Sequence, residues 1–177
     1  MESKESLRKK MFQALLKPRK KLKLSGHDLS CLDFSGKSFR EADLSKADLR
    51  KSNFSGADFQ NANLQGAFLK GAILKNARLE NADLTNASLI ETNLSEADLR
   101  GCSLEGAALR RANLRKANLE GANLKFVDAL GADLTGAVLN QAEVTGSIGV
   151  IEIITDREES VNKFSILKKL KYFFNFK

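Results

Sequence analysis

Between residues 27 and 146 the chain places one large apolar residue at every fifth position. This position, from residue 29 to residue 144, holds Leu 18 times and Phe four times, with Val144 and Ala129 as the exceptions. Two residues earlier the chain carries Ala 17 times, and the position between the two is usually Asp, Asn or Ser. We number the positions of each five-residue repeat as slots one to five, so that residue 27 is in slot one and residue 29 is in slot three.

A period of five matches neither the 3.6-residue period of a helix nor the two-residue alternation of a strand. The chain must change direction once in every repeat, which a short extended piece followed by a turn achieves. Gly, Asn and Ser are common in the last two slots, where such a turn would lie. Slots one and three then point inward, with Ala where backbones approach closely and Leu or Phe filling a narrow core. The pattern predicts an all-β solenoid.

The charged residues predict how many repeats make one coil. Stacked coils place equivalent side chains about 4.8 Å apart, where opposite charges stabilise and like charges destabilise. An offset of 20 residues gives seven opposite pairs and two like pairs, whereas offsets of 15 and 25 give one opposite pair each and eight and six like pairs. The opposite pairs at 20 are Asp58/Arg78, Arg78/Asp98, Glu80/Arg100, Arg100/Glu120, Glu91/Arg111, Glu96/Lys116 and Glu105/Lys125. Four repeats per coil are therefore expected, and Phe34/Phe54 and Phe39/Phe59 would then stack.

Motifs such as Ala42-Asp43-Leu44-Ser45-Lys46, Ala57-Asp58-Phe59-Gln60-Asn61 and Ala122-Asn123-Leu124 resemble those of the pentapeptide-repeat family. The resemblance covers about two-thirds of the chain. It implies a right-handed quadrilateral β-helix of about six coils, which would form a rod about 29 Å long. The quinolone-resistance members of this family resemble B-form DNA in size and charge and protect or inhibit DNA gyrase, so the resemblance also implies DNA mimicry as an alternative function.

Two places depart from the repeat. His27, Leu32 and Lys37 fill slot one of the first coil, where a terminal coil has no neighbour below it and is expected to be irregular. Near the last coil, Val127 is large where Ala is usual and Ala129 is small where Leu is usual. The second departure indicates either a local exchange of sizes or a bulge.

The pattern divides the chain into a basic N-terminal helix and arm (1–26), the β-helix (27–146), and a C-terminal cap strand with a basic amphipathic helix (147–177). The N-terminal helix is expected over 4–17 and ends at Pro18. Five cations make an arm that is a candidate for binding an anionic surface: Lys17, Arg19, Lys20, Lys21 and Lys23. The C-terminal helix is expected over 162–175, with its apolar face formed by Ile166, Leu167, Leu170, Phe173 and Phe174.

These terminal helices have three interpretations that the sequence leaves open. They could cap the open ends of the solenoid, which would otherwise expose unpaired backbone and core Leu. The C-terminal helix could form a homodimer. A basic amphipathic helix could also lie on an anionic membrane as a peripheral contact, whereas contact with nucleic acid is less favoured.

The distribution of charge limits the functions that fit. The net charge is +7, but residues 27–146 carry 14 Lys or Arg and 16 Asp or Glu, so the body is nearly neutral. DNA mimicry needs a strongly negative surface, and this count argues against it. No apolar run approaches the roughly 20 residues of a membrane span, and a cytoplasmic location is expected.

The residues that usually carry catalysis or bind metals are scarce in this sequence. His27 is the only histidine and is interpreted as lying at the edge of the core. Cys102 falls in the small inward slot, while Cys31 falls at a turn about three coils away, too far to bridge. We expect no cofactor, no metal and no enzymatic activity.

One set of residues is a candidate for binding a partner. Phe68 and Ile73 occupy slot two, which normally points outward and is polar, on adjacent faces of the third coil. Lys70 and Lys75 flank them, and Arg110 and Arg115 belong to a basic strip further along. The patch could instead be covered by the N-terminal helix. The sequence therefore favours a non-enzymatic structural or protein-interaction scaffold with an unidentified protein partner.

Overall fold

The computed structural model describes residues 21–148, and this part of the chain forms a β-solenoid. The backbone pairs through 22 isolated parallel bridges, each joining a slot-two residue to the residue 20 positions later, from Lys23↔Asp43 to Asp128↔Ile148. Residues 21–148 contain no helix and no strand longer than a single bridge residue. The prediction of four repeats per coil is confirmed.

We name the coils and faces by residue number. Coils A to F are residues 27–46, 47–66, 67–86, 87–106, 107–126 and 127–146. Each coil has four faces of five residues, so that face 1 of coil A is 27–31, face 2 is 32–36, face 3 is 37–41 and face 4 is 42–46. The predicted terminal helices, their caps and the C-terminal strand lie outside the described residues, and the right-handed sense stays a prediction.

Three backbone hydrogen bonds per repeat join neighbouring coils. The slot-five N–H donates to the slot-four carbonyl of the next coil, as Glu91 does to Arg110 at 2.9 Å. The slot-three N–H donates to the slot-two carbonyl of the next coil, as Leu89 does to Ala108 at 2.8 Å. The slot-two N–H donates to the slot-one carbonyl of the preceding coil, as Ser88 does to Ala67 at 2.9 Å. The repetition of these bonds from face to face makes the solenoid a continuous ladder of backbone hydrogen bonds.

The corners between faces use a left-handed backbone conformation. Every slot-five residue from Gly26 to Gly146 has a φ between 55° and 72°, including 14 residues that are not glycine. Since this region is favourable mainly for Gly and Asn, the frequency of Gly in slot five is explained. At Gly101 a second reason applies, because an added Cβ would lie 2.6 Å from Asn81 Oδ1.

The preference for Asp and Asn in slot two also has a structural cause. The side-chain oxygen accepts a hydrogen bond from the backbone N–H two residues later, as Asn93 does from Ser95 at 3.1 Å. This is the local bond that suits Asp and Asn to turns. Where the residue is Asp, the same bonds stabilise its charged form: the Ser45 hydroxyl and backbone hold the pKa of Asp43 below its ordinary value of 3.8.

The core is one continuous cluster of slot-one and slot-three side chains from all four faces. In coils A and B it contains four phenylalanines: Phe34 stacks on Phe54 at 5.3 Å, and Phe39 stacks on Phe59 at 5.0 Å. The two stacks meet edge to face, with ring centroids 5.2 to 5.6 Å apart. The predicted phenylalanine stacks are therefore confirmed. Beyond residue 66 the slot-three positions are filled by Leu up to Leu124.

Three polar or ionisable residues in slot one are buried: Ser52, Thr92 and Cys102. The buried Ser52 hydroxyl donates to the Leu29 carbonyl at 2.7 Å, and Thr92 does the same to Leu69 at 2.8 Å. Cys102 is fully buried, and burial raises the pKa of its thiol to about 12. His27 is different, because it is exposed, with Nδ1 3.0 Å from the Ser25 carbonyl. The expectation that His27 lies at the core edge was wrong.

The exchange of sizes at Val127 and Ala129 leaves the ladder in register. Asp128 between them pairs with Ile148 at the normal offset, and both Val127 and Ala129 stay buried. A bulge would place an extra residue in one coil and break this offset. The interpretation as a local exchange of sizes is therefore correct, and the bulge is excluded.

Candidate interaction surface

Phe68 and Ile73 project from adjacent faces of coil C. Their backbones belong to the ladder, with the Phe68 N–H donating to Ala47 and the Ile73 N–H to Ser52, each at 2.9 Å. The side chains point outward and remain 49% and 42% exposed. Two large apolar side chains held outward by a regular backbone are available for contact with another molecule.

Ile90 adds a third apolar side chain that the sequence analysis missed. It lies in slot four of face 1 in coil D, diagonally next to Phe68, and is partly buried. Slot four also points outward, so an aliphatic residue there carries the same signal as Phe68 does in slot two. Slot four is polar in every repeat of residues 27–146 except at Ile90 and Leu130, and this break in the pattern identifies Ile90.

The four predicted cations of this surface lie in slot four of the same two faces. Lys70 and Arg110 are on face 1, and Lys75 and Arg115 are on face 2. Each contacts a carboxylate of the next coil. The nitrogen–oxygen distances are 4.0 Å for Lys70–Glu91, 3.4 Å for Lys75–Glu96, 2.6 Å for Arg110–Asp128 and 3.1 Å for Arg115–Asp133. The structure thus places all six candidate partner-binding residues on faces 1 and 2 of coils C to E.

The mid-section of the solenoid differs in charge between its two sides. Faces 1 and 2 of coils C to E, residues 67–76, 87–96 and 107–116, carry six Lys or Arg and two Glu, a net charge of +4. Faces 3 and 4 of the same coils carry three Lys or Arg and five Asp or Glu, a net charge of −2. We call the first of these sides, with Phe68, Ile73 and Ile90, the basic–apolar surface.

No face of the six coils is strongly acidic. Over residues 27–146 the net charges of faces 1 to 4 are +1, 0, −1 and −2. A protein that imitates DNA needs closely spaced negative charge along a side of the rod. These counts extend the sequence argument against mimicry from the whole body to each face.

Face 3 carries a network of ion pairs that uses its charges internally. Contacts of 2.5 to 3.7 Å link six residues through four coils, in the order Arg40, Asp58, Arg78, Glu80, Arg100 and Asp98. Glu80 Oε2 is buried and has no hydrogen-bond partner among the described residues. Face 3 has alternating charges and, in coils A to E, no exposed large apolar side chain.

The ion pairs only partly follow the predicted stacking. Three of the seven predicted pairs are in contact: Asp58/Arg78 at 3.7 Å, Glu80/Arg100 at 3.4 Å and Glu91/Arg111 at 3.9 Å. Other cations reach diagonally instead, as Lys125 does to Glu143 at 2.5 Å rather than to Glu105. A long side chain can cover the 7–8 Å of a diagonal between neighbouring positions.

The remaining predicted site residues lie at the termini. Lys21 and Lys23 of the basic arm are exposed, and Lys23 pairs with Asp43 through the backbone ladder. Lys17, Arg19 and Lys20 lie outside the described residues, as does the predicted apolar face at Ile166, Leu167, Leu170, Phe173 and Phe174. The structure therefore bears on the arm only at its last two cations.

The end of the solenoid carries a second group of exposed apolar residues that the sequence analysis missed. Phe126, Leu130 and Ile148 lie on or beside face 1, and Val138 lies on face 3. All four occupy slots that are polar in most repeats, and the slot pattern alone would have identified them. In residues 21–148 there is no helix able to cross a membrane and no group of three or more metal-ligating side chains.

The repeat that organises these faces also relates the chain to known proteins. The family model for pentapeptide repeats matches eight copies, over residues 23–56, 38–76, 52–89, 77–115, 102–141 and 117–148. The chain belongs to the pentapeptide-repeat family. The recognition made from the sequence is confirmed, while no curated protein matches the chain.

Several solved structures of this family are similar to the chain. HetL of Nostoc sp. strain PCC 7120, a pentapeptide repeat protein involved in heterocyst differentiation regulation, is 27% identical over 83% of this chain and 94% of its own, with a TM-score of 0.52. A pentapeptide repeat protein from the Arabidopsis thaliana thylakoid lumen is 31% identical over 82% and 77%, with a TM-score of 0.39. QnrB1, a plasmid-mediated fluoroquinolone resistance protein, is 27% identical over 72% of both chains, with a TM-score of 0.40.

Proposed function

We propose that this pentapeptide-repeat protein is a non-enzymatic scaffold that binds a protein partner through the basic–apolar surface. The observation that carries the proposal is the outward placement of Phe68 and Ile73 on adjacent faces, in slots that are polar elsewhere. Aromatic residues and Arg are enriched at protein–protein interfaces, and Arg110 and Arg115 lie on the same two faces.

The regular ladder beneath this surface supports a binding role. Phe68 and Ile73 each make two backbone hydrogen bonds to coil B, through the N–H and the carbonyl, so their side chains start from defined positions. A surface of this kind does not have to order its backbone when a partner binds, which lowers the entropic cost of association. HetL, a similar protein, is involved in regulation of differentiation, and a role through binding is consistent with that description.

The test compares two outward-facing substitutions with a matched control. Wild-type protein, a Phe68→Asp, Ile73→Asp variant and a Val138→Asp variant are used as bait in extracts of the source organism. Val138 is 41% exposed, close to the 42% of Ile73, but it lies on face 3 of coil F. We expect a partner that is retained by wild type and by Val138→Asp and lost with the double variant.

Circular dichroism melting of all three proteins shows whether the coils stay folded. Equal capture by the folded double variant and the wild type would remove Phe68 and Ile73 from any binding role. Loss of capture with the folded Val138→Asp variant as well would show that the contact is not confined to this surface.

A further inference from the structure

We infer that the basic–apolar surface binds an acidic amphipathic segment of a protein, one that presents Asp or Glu together with apolar side chains. The inference rests on the proposed scaffold function and names the chemistry of its partner. It follows from the register of 20 residues, which brings three ten-residue stretches of sequence to one side of the rod.

The excess of positive charge coincides with the apolar residues. Faces 1 and 2 carry +4 in coils C to E, where Phe68, Ile73 and Ile90 lie. The same two faces carry −1 in coils A and B, and −2 in coil F, where Asp128 and Asp133 are their only charged residues. The excess of positive charge therefore coincides with Phe68, Ile73 and Ile90, whereas Leu130 on face 1 of coil F lies where the two faces carry −2. The basic–apolar surface is thus bounded and the rod is not uniformly basic.

The cations of this surface are available to a partner although each has a carboxylate nearby. Arg110 and Arg115 are 55% and 51% exposed, and Arg111 is 78% exposed. Exposed ion pairs contribute little free energy, because water already solvates both charges. An incoming carboxylate can therefore compete for the guanidinium groups, and a partner that also covers Phe68 and Ile73 would strengthen the contact by excluding water.

Two glutamates favour a protein segment over a continuous polyanion. Glu91 and Glu96 lie at the corners of coil D, in the middle of the surface, and are 45% and 49% exposed. A nucleic-acid backbone or an anionic membrane would bring closely spaced negative charge against them. A protein segment can place separate carboxylates at Lys70, Lys75, Arg110 and Arg115 and set apolar side chains on Phe68, Ile73 and Ile90.

The test uses fluorescence anisotropy with a defined probe, a fluorescein-labelled peptide of alternating Glu and Leu. A peptide with Lys in place of Glu, a labelled DNA duplex and phosphatidylglycerol vesicles are the comparison probes. The proteins are full-length wild type, an Arg110→Gln, Arg115→Gln variant, and an Arg78→Gln, Arg100→Gln control that removes the same number of cations from face 3. Each is measured at about 0.05 M and about 0.3 M NaCl, which changes screening strongly.

We expect the Glu/Leu peptide to bind wild type and the face 3 control with similar affinity, and the Arg110→Gln, Arg115→Gln variant about tenfold more weakly. The difference should shrink at the higher salt concentration. Binding of the Lys/Leu peptide instead, or of DNA or vesicles with no binding of the Glu/Leu peptide, would overturn the inference.

The outcomes also separate this inference from the proposed function. If the Glu/Leu peptide does not bind but a protein is still captured in a Phe68-dependent manner, the acidic partner is overturned and the proposed scaffold function remains. A concentration-dependent dimer that disappears in the Arg110→Gln, Arg115→Gln variant would overturn it too, because the surface would then bind a second copy of this chain.

Discussion

Coils A and B keep all their phenylalanines inside, whereas the coils that follow also carry large apolar residues on the outside. In coils A and B all four phenylalanines are inside, and residues 21–66 have no exposed large apolar side chain. After residue 66 the core is built from Leu, and the exposed large apolar residues are Phe68, Ile73, Phe126, Leu130, Val138 and Ile148. The same residue type thus has a structural role in one region and is free for contact in the other.

This difference separates stability from binding along the rod. A solenoid is stabilised by contacts between adjacent coils, so a well-packed group of rings strengthens the region that contains it. Once the N-terminal coils are packed with aromatic residues, the later coils can carry apolar residues outward while regular Leu packing keeps them folded.

The largest effect should come from the phenylalanine core. Phe54 is fully buried and contacts the rings of Phe34, Phe39 and Phe59. The Phe54→Ala substitution should therefore lower the free energy of unfolding by about 3–5 kcal/mol. Replacing Phe68 with Ala should change it by no more than about 0.5 kcal/mol, because that side chain is on the surface. Urea denaturation measures the free energy of unfolding of both variants. An equal loss of stability in Phe54→Ala and Phe68→Ala would remove the distinction between the two regions.

A smaller effect should come from the exchange of sizes at the start of coil F. Val127→Ala together with Ala129→Leu restores the usual pattern and adds a net single carbon to the core. The free energy of unfolding should rise by about 0.8 kcal/mol, the value of one buried methylene. Ala129→Leu alone should lower it by about 1–3 kcal/mol, because Val127 already occupies part of the space. A gain in stability from the single change would show that coil F contains a cavity.

Much of this architecture followed from the sequence because every repeat carries its own signals. Leu or Phe in slot three, Ala in slot one and Asp or Asn in slot two each have a local cause that recurs in every coil. Ion-pair partners were less predictable, since Lys125 reaches Glu143 on a diagonal and not Glu105 directly below it.

The interaction surface was only partly predictable for a similar reason. Phe68 and Ile73 are recognisable because they break the polar pattern of slot two. Ile90 breaks the polar pattern of slot four, but its place diagonally next to Phe68 follows only from the coil register. Coil register then determines which stretches share a side, and the contrast of +4 with −2 appears only when charges are counted by face.

The smallest expected effect is a sensitivity to acid that both regions share. Hydrogen bonds lower the pKa of Asp43 and Asp48 in the early coils and of Asp98 and Asp133 in the later ones, from Ser45, Arg50, Arg100 and Thr135 respectively. A carboxyl group whose pKa is lower in the folded protein stabilises it above its unfolded pKa, near 3.8, and this contribution is lost as the pH falls through the folded pKa.

Denaturation measured between pH 6 and pH 2 checks this shared sensitivity. The urea concentration at the midpoint of unfolding should decrease as the pH falls below about 4. In the Asp43→Asn and Asp133→Asn variants this decrease with pH should be shallower than in wild type. Asn keeps an oxygen that accepts the same backbone hydrogen bond, so it is the matched substitution. If only one of the two variants showed a shallower decrease, the two regions would differ in their slot-two hydrogen bonds as well as in their cores.

The most direct test of the binding surface is the pattern of amide chemical shifts when the Glu/Leu peptide is added to isotope-labelled protein. We expect changes in residues 67–76, 87–96 and 107–116 and little change in 77–86, 97–106 and 117–126, so that affected and unaffected stretches alternate every ten residues. Changes spread evenly through coils C to E, or concentrated in the second set of stretches, would contradict the account.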